Sequence, residues 1–407
     1  MKVVVCATGV TGQFADAPYS TLCRAEAMIH AGLSVTVVGM PEQYPSELPV
    51  LVPYVSVDRQ TSRATRRRRA WGRRVLGRVW TYFVEPFLVV RAGLRLARAQ
   101  SAEILFISHL EPLSMLPFAA VLRRRAWPRW VGRVAVGLPR GWVRDASLPT
   151  ALRFVAYRSG LRRLAPRMPL LFGSPYMAPY MGLPEHPNLI DLPEGHEDRR
   201  DWMTKDAARR TLGLPLDRRM VLLFGVASLS KGGDLLLRAI EGLAPDFLVC
   251  LVGAGIGTAA PAWGAVGRAL AAAWKDALVI VPRRVSDEEM YRFYAACDVV
   301  VLPYRAGFTD TSTHLRRATE FGKALVACDQ HLIGATVRRY DLGLLFPPED
   351  VEGLRRALAD AVHRPDAWYA GIRERSGTLL REQSWAVVGE AYRALFERVA
   401  SVARPVS

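Results

Sequence analysis

The sequence predicts an α/β chain made of two doubly wound parallel-sheet domains, and three observations carry that prediction. Short apolar runs rich in Val, Ile and Leu alternate with longer segments of helical spacing, the order that builds parallel sheets through crossover connections. The alternation runs twice, on either side of the polar, turn-rich stretch from Leu192 to Arg200. With 407 residues, half of them hydrophobic and 23% charged, each half has enough apolar side chains for its own core, which argues against one domain and against disorder. The expected division is 1–191, a hinge linker at 192–203, a second domain at 204–384, and a closing helical segment at 385–407.

The first half opens with a strand, Val3–Ala7, then a loop over Thr8–Ala17 and a helix over Pro18–Ala31. Gly32 stands just past the last turn of that helix, where a residue free to adopt positive φ ends it. Further strands are expected at Ser34–Gly39 and Val50–Val57, at Ile104–Ser108 beyond a basic insert near 61–99, and near Arg133–Leu138. Helices are expected over Pro112–Arg125 and Pro149–Leu164, and the runs Pro169–Phe172 and Asn188–Asp191 close this half. The second half starts with a helix at Thr204–Leu212. Strands follow at Met220–Gly225, Phe247–Gly253, Leu278–Val281, Val299–Tyr304, Ala324–Cys328 and Gly343–Phe346. Helices fall between them at Lys231–Glu241, Ala265–Ala273, Asp287–Ala296, Thr311–Phe321 and Val351–His363.

Composition excludes several classes. Five cysteines in an odd, widely spaced set with no C-x-x-C fit neither a disulfide framework nor a zinc knuckle, and suit a reducing compartment. The chain begins on a strand with no charged-then-apolar leader, so a cleaved secretion signal is not expected. No apolar run reaches the ~18 residues that span a bilayer; Val79–Val90 is short and holds Glu85 and Pro86. The formal charge is +17, and residues 1–200 hold most of the surplus, with 28 basic and 14 acidic side chains. Its densest stretch, Arg63, Arg66 to Arg69, Arg73, Arg74 and Arg78, is interleaved with Trp71, Trp80, Tyr82 and Phe83. Arginines on one side and aromatics on the other describe a helix in a membrane interface, where each cation contributes about 1 kcal/mol on an anionic surface. A solvated face or loop is the plain alternative. Nucleic acid is not expected, since no RRM, KH or zinc-finger signature accompanies the charge.

Two loops in the second half have the make-up of an anion site. Gly225 to Asp234 joins a strand to a helix through small residues and Lys231, a combination that lets backbone and a point charge approach a phosphate. Phe308 to Thr313 opens another helix with hydroxyls, as a diphosphate grip or an ordinary N-cap by Asp310 or Thr311. In the first half Gly9-Val10-Thr11-Gly12 permits close approach after the first strand. Ser108-His109-Leu110-Glu111-Pro112 ends another strand. His109 there is either a proton carrier or a cap for the next helix. His314, on the hydroxyl-rich helix, reads more simply as structural.

These residues resemble a family. Ala207, Arg209 and Leu212-Gly213-Leu214-Pro215, then Lys231-Gly232 with Leu235-Leu236-Leu237, look like the start of the donor domain of GT-B glycosyltransferases of family 4. Val285-Ser286-Asp287-Glu288-Glu289-Met290, Tyr294 to Pro303, Gly322-Lys323-Ala324-Leu325-Val326-Ala327, Leu342-Gly343-Leu344 and Ser384-Trp385 continue the pattern in order. Arg24-Ala25 and Ala31 to Val38 are similar to the family's opening unit. The resemblance implies two Rossmann-like domains facing across a cleft. It implies a retaining, metal-independent, hexosyltransferase-like enzyme that moves a sugar from a nucleotide diphosphate donor to a saccharide or lipid-linked acceptor, without a further cofactor. The donor would bind residues 204–384 and the acceptor 1–191, with the last helix crossing back to the first domain. Carried over by position, Gly225, Ser228, Lys231, Gly255, Arg283, Thr311, Ser312, Thr313 and Arg317 would contact the donor. Gly9, Thr11, Gly12, His109 and Glu111 would contact the acceptor, and His109, Lys231 and Asp310 would serve the chemistry. A cytoplasmic enzyme of envelope polysaccharide synthesis, at the inner membrane face, follows from the same resemblance and the basic insert.

The departures are specific. The family's pair of Glu residues, eight positions apart, falls on Thr309 and Arg317, and the usual Arg partner of Lys231 falls on Val226. Arg317 cannot accept hydrogen bonds, so it cannot hold ribose hydroxyls as a carboxylate does. Asp310 is one residue from the first position and is the candidate substitute. The His often found after the next strand is replaced by Gly137-Leu138-Pro139. A catalytically silent protein of the same fold, binding a nucleotide sugar or a partner, is therefore the alternative.

Overall fold

A computed structural model of the chain describes residues 1–8, 17–40, 52–57, 84–110, 115, 118, 128–134, 148–225, 231–254, 273–308 and 312–401. It divides into two compact units. One comprises Met1–Gly195 with Ser384–Ser407, the other His196–Gln383.

In the first unit, β1 (Lys2–Ala7), β2 (Ser34–Gly39), β3 (Tyr54–Ser56), β4 (Ile104–Ile107), β5 (Arg129–Val134), β6 (Leu170–Phe172) and β7 (Leu189–Asp191) form one parallel sheet. The order is β3-β2-β1-β4-β5-β6-β7. Side chains alternate across a strand, and here both faces are apolar, as a sheet covered on both sides requires. Val3, Val5, Ile104 and Phe106 join a core with Leu22, Ala25 and Met28 of the helix Ala17–His30 and with Val388, Tyr392 and Phe396 of the helix Trp385–Ser401. Val4, Cys6, Leu105 and Ile107 face the other way, onto Val89, Val90 and Leu94 of the helix Glu85–Ala99.

The second unit repeats the design. Its strands are β8 (Met220–Phe224), β9 (Leu248–Val252), β10 (Leu278–Val281), β11 (Val299–Leu302), β12 (Ala324–Cys328) and β13 (Gly343–Phe346), all parallel, in the order β10-β9-β8-β11-β12-β13. Helix starts carry side-chain caps, Thr204 accepting from the Ala207 N–H, Ser286 from Glu289 and Asp350 from Gly353. Each cap satisfies one of the donors that a helix leaves open.

In each sheet the order reverses once, between β1 and β4 and between β8 and β11. Strands that send their connections to opposite faces leave a crevice at their carboxyl ends, the usual place for a ligand in such sheets. The chain puts Thr8 and His109 at the first reversal, and Gly225 and Pro303-Tyr304 at the second.

Several elements differ from the expectation. The strand placed near Arg133–Leu138 is Arg129–Val134. Two of its residues are arginines, and Arg133 faces the core at 3% exposure because Glu194 neutralises it at 3.0 Å, so the apolar pattern that marks a strand is broken. The helices His331–Tyr340 and Asp366–Glu382 were not anticipated, since Gly334, Gly371 and Gly377 interrupt their periodicity. In the basic insert, Glu85 and Pro86 begin the helix Glu85–Ala99; proline is tolerated in a first turn, where its missing N–H costs nothing. The helix expected over Pro112–Arg125 falls largely outside the described residues, as does Ala265–Ala273 apart from Ala273. Among the described residues no helix is long and apolar enough to cross a membrane.

Candidate active site

At the second reversal three glycines bring bare backbone together. Gly225 ends β8 with φ 126°, and its N–H donates to the Val252 carbonyl at 2.9 Å. A Cβ on Gly253 would lie 1.7 Å from the Gly225 carbonyl oxygen, and one on Gly232 would lie 1.7 Å from the Pro303 oxygen. Gly232, at φ 64°, also turns the chain into the helix Gly233–Ile240. Only glycine combines such φ values with such contacts. The consequence is that Lys231 is held at the carboxyl end of β11.

Its ammonium group lies 4.0 Å above the Tyr304 ring and 4.7 Å from that of Phe308. The described contacts of Lys231 are thus aromatic faces, which attract a cation without neutralising it. Tyr304 is fixed from both ends. Its hydroxyl is 3.0 Å from Ser312 Oγ, and the Gln330 amide donates to the carbonyls of Tyr304 and Arg305 and accepts from the Gly307 N–H at 2.9 Å. Ser312 Oγ accepts from the Leu315 N–H and so caps the helix Thr313–Glu320. The cation, the capped helix start and the glycine contacts are one braced unit.

His314, on the first turn of that helix, has Nδ1 2.9 Å from the Tyr294 hydroxyl and its ring against Phe224. Burial, with Lys231 and Arg317 nearby, pushes its pKa down to about 3, so the imidazole is neutral at pH 7.

Arg317 is 2% exposed. Its Nη1 donates to Glu320 Oε2 at 2.6 Å, while Glu320 Oε1 accepts from the Glu197 N–H at 3.1 Å. Burial alone would raise the Glu320 pKa, but Arg317, Arg316 and His196 outweigh it and hold it below the usual range. The residue expected to touch the donor therefore spends its charge on a carboxylate one turn along its own helix. Arg283, also expected there, lies beyond the edge strand β10, 58% exposed and paired with Glu289 at 2.6 Å. Gly225, Lys231, Ser312 and Thr313 do come to one end of the sheet. Ser228, Gly255, Asp310 and Thr311 lie outside the described residues. Tyr304 and Gln330 had no motif to announce them, only their position just past β11 and β12; Phe308 opens the hydroxyl-rich stretch, whose sequence does not disclose that its ring meets Lys231.

In the first unit Thr8 Oγ1 donates to the His109 carbonyl at 2.6 Å, which ties the ends of β1 and β4 together. His109 is partly buried, with Nδ1 3.3 Å from Ser108 Oγ. Beneath it Glu194 meets Arg24 at 2.8 Å and Arg133 at 3.0 Å. Burial first, and then Arg24, push the His109 pKa down to about 3, with Glu194 opposing and Arg133 assisting. A neutral imidazole of this kind can orient an acceptor hydroxyl by a hydrogen bond, but it is a weak base for carrying a proton at neutral pH. Gly9, Thr11, Gly12 and Glu111 lie outside the described residues. Among the described residues no group of three His, Cys, Asp or Glu side chains is placed to hold a metal ion.

The two imidazoles make stability depend on pH. Folded, both titrate near 3; unfolded, near 6.5. Below about pH 6.5 the unfolded chain binds protons that the folded chain refuses, so stability falls as pH drops from 6.5 towards 3. The slope approaches about 1.4 kcal/mol per pH unit for each group. Melting temperatures of wild type and His109→Gln at pH 7.5 and 5.5 check this, the variant being expected to lose less on acidification.

Residues 218–364 match the family model described as Glycosyl transferases group 1. The match lies within the second unit. That stretch is a little over a third of the chain and contains β8 to β13 with Lys231 and the capped helix. No curated protein sequence matches the chain. Among solved structures, the chain is similar to a sucrose-phosphate synthase from Thermosynechococcus elongatus, with 19% identity, 99% of each chain covered and a TM-score of 0.71. HepE from Anabaena, solved in complex with UDP and glucose, is 14% identical, with 98% of this chain and 99% of that one covered and a TM-score of 0.66. WaaG, a glycosyltransferase involved in lipopolysaccharide biosynthesis, is also 14% identical, with 97% and 99% covered and a TM-score of 0.66. At such identities the likeness shows the fold, which is the two-domain GT-B architecture.

Proposed function

We propose that the chain is a glycosyltransferase that moves a sugar from a nucleotide diphosphate to a saccharide or lipid-linked acceptor, with retention of configuration and without a metal. The observation that carries this reading is Lys231, held over the Tyr304 and Phe308 rings beside a capped helix start inside the group 1 domain. Charge builds on the departing diphosphate in the transition state, and a cation fixed in advance stabilises it without reorganising. The complex of HepE with UDP and glucose supports a nucleotide sugar as donor. In the first unit His109 would orient the acceptor hydroxyl. Thermal shift with UDP, GDP and ADP and their sugars, followed by release of nucleotide with and without acceptors, tests the reading. Failure of every nucleotide to bind overturns it.

The buried Arg317–Glu320 pair favours a second reading, a catalytically silent protein of the same fold. Binding without hydrolysis or transfer, across a panel of saccharide and lipid-linked acceptors, would support it.

A place on the inner face of an anionic membrane is part of the proposal. The helix Glu85–Ala99 exposes Arg91, Arg95 and Arg98 along one stripe and continues the basic stretch that precedes it. Replacing Arg66 to Arg69 with Ala is expected to release the protein from anionic vesicles, since each cation near the surface contributes about 1 kcal/mol. Sedimentation with phosphatidylserine vesicles checks it, and undiminished binding would locate the contact elsewhere.

A further inference from the structure

His314 stands at the end of β8 in an arrangement that its packing alone does not require. A Cβ built on Gly225 would lie 2.6 Å from His314 Nε2. The missing side chain of the glycine therefore lets the imidazole sit directly against the strand end. The ring is oriented from behind: Nδ1 is 2.9 Å from the Tyr294 hydroxyl, and Phe224 packs on its side. No hydrogen bond is made by Nε2 to any described residue. On the other side of the β8–β11 reversal stands Lys231, held at β11 by the Gly232–Pro303 contact.

We infer that His314 is a ligand of the donor's diphosphate, giving an Nε2–H hydrogen bond to a phosphate oxygen bound at the carboxyl end of β8. The inference rests on the proposed nucleotide-sugar reading and adds a residue to it. The Tyr294 hydroxyl can donate to Nδ1, which leaves the proton of the neutral ring on Nε2. A neutral donor suits this position, because Lys231 already supplies the charge and Arg317 stands on the same helix. Among the described residues, the groups facing the ring are Tyr294 from the helix Asp287–Ala296, Lys231 ahead of the helix Gly233–Ile240, and Arg317 from its own helix. None of these described groups is a carboxylate that would compete with phosphate for Nε2–H. A side chain at position 225 would push the imidazole aside, so the glycine and the histidine act as a pair.

The test uses the full chain, with UDP, GDP and ADP as probes in isothermal titration. His314→Phe keeps an aromatic ring against Phe224 and removes the donor. His314→Gln keeps a side-chain N–H at similar reach. The expected result is that His314→Phe weakens binding of whichever nucleotide wild type prefers by roughly tenfold, the size of one hydrogen bond to a charged group, while His314→Gln retains most of the affinity. Imidazole 15N spectra of wild type are expected to show the Nε2-protonated tautomer, and its Nε2 signal is expected to move when that nucleotide is added. If His314→Phe binds as well as wild type, or if both variants lose affinity equally, the side chain only packs and the inference falls. If wild type binds none of the three nucleotides, the proposed function itself falls, and this inference with it.

Discussion

Replacing Asp298 with Ala is expected to destabilise the second unit by about 3–5 kcal/mol, the cost of stranding a buried charge. Asp298 precedes β11 and is 7% exposed. Its Oδ2 accepts from Arg209 Nη2 at 2.7 Å and from the Met220 N–H at 2.9 Å, and its Oδ1 accepts from Lys205 at 3.0 Å. Arg209 has no exposed surface, and its other donors reach the carbonyls of Ala296, Pro215 and Arg218. Those carbonyls solvate the guanidinium in part but do not neutralise it. The carboxylate also joins the first helix of the unit to the starts of the two central strands, β8 and β11, so its loss loosens the middle of the sheet as well. A fall of roughly 10 °C in melting temperature is the scale for a unit of this size. Replacing both partners, with Arg209→Met and Asp298→Leu, is expected to recover part of the loss, because an apolar pair leaves nothing charged inside. If Asp298→Ala melts with wild type, the pair is not a determinant of stability.

The contrast between such hubs and the strands explains what the sequence discloses. A parallel strand covered on both faces must be apolar along its whole length. Met220–Phe224, Leu248–Val252 and Ala324–Cys328 are accordingly legible as runs, and Gly225 and Gly253 mark where two of them end. The strand Arg129–Val134 is not legible in that way, because Arg133 is made tolerable by Glu194, a partner 61 positions away that no local window contains. The candidate site divides along the same line. Lys231 and the hydroxyls near Ser312 stand out because glycine, lysine and serine cluster at a strand end. The aromatic seat of Lys231 and the clamp from Gln330 depend on β11 and β12 lying side by side, a fact of the sheet rather than of the chain. Arg317 is the instructive case. Its position suggested a donor contact, while its environment is set by Glu320 on the next turn, at the i, i+3 spacing that lets helical side chains meet.

Lys231→Ala is expected to lower turnover by roughly 10²-fold, the scale for losing one preorganised group that meets developing charge. The aromatic seat is what makes the loss large. A lysine free in solvent would have to be ordered and stripped of water during the reaction, whereas here the rings of Tyr304 and Phe308 hold the ammonium group before any ligand arrives. The loss is expected mainly in kcat, because charge on the diphosphate is greater at the transition state than in the bound donor. Lys231→Arg is expected to recover little: a planar guanidinium presents its donors in a different geometry from a compact ammonium group. Tyr304→Leu removes one face of the seat while leaving the lysine, and is expected to give a smaller fall than Lys231→Ala. Steady-state kinetics of the three variants with the preferred donor decide the matter. An unchanged kcat in Lys231→Ala would remove the residue from the chemistry. A change confined to KM would make it a binding contact and no more.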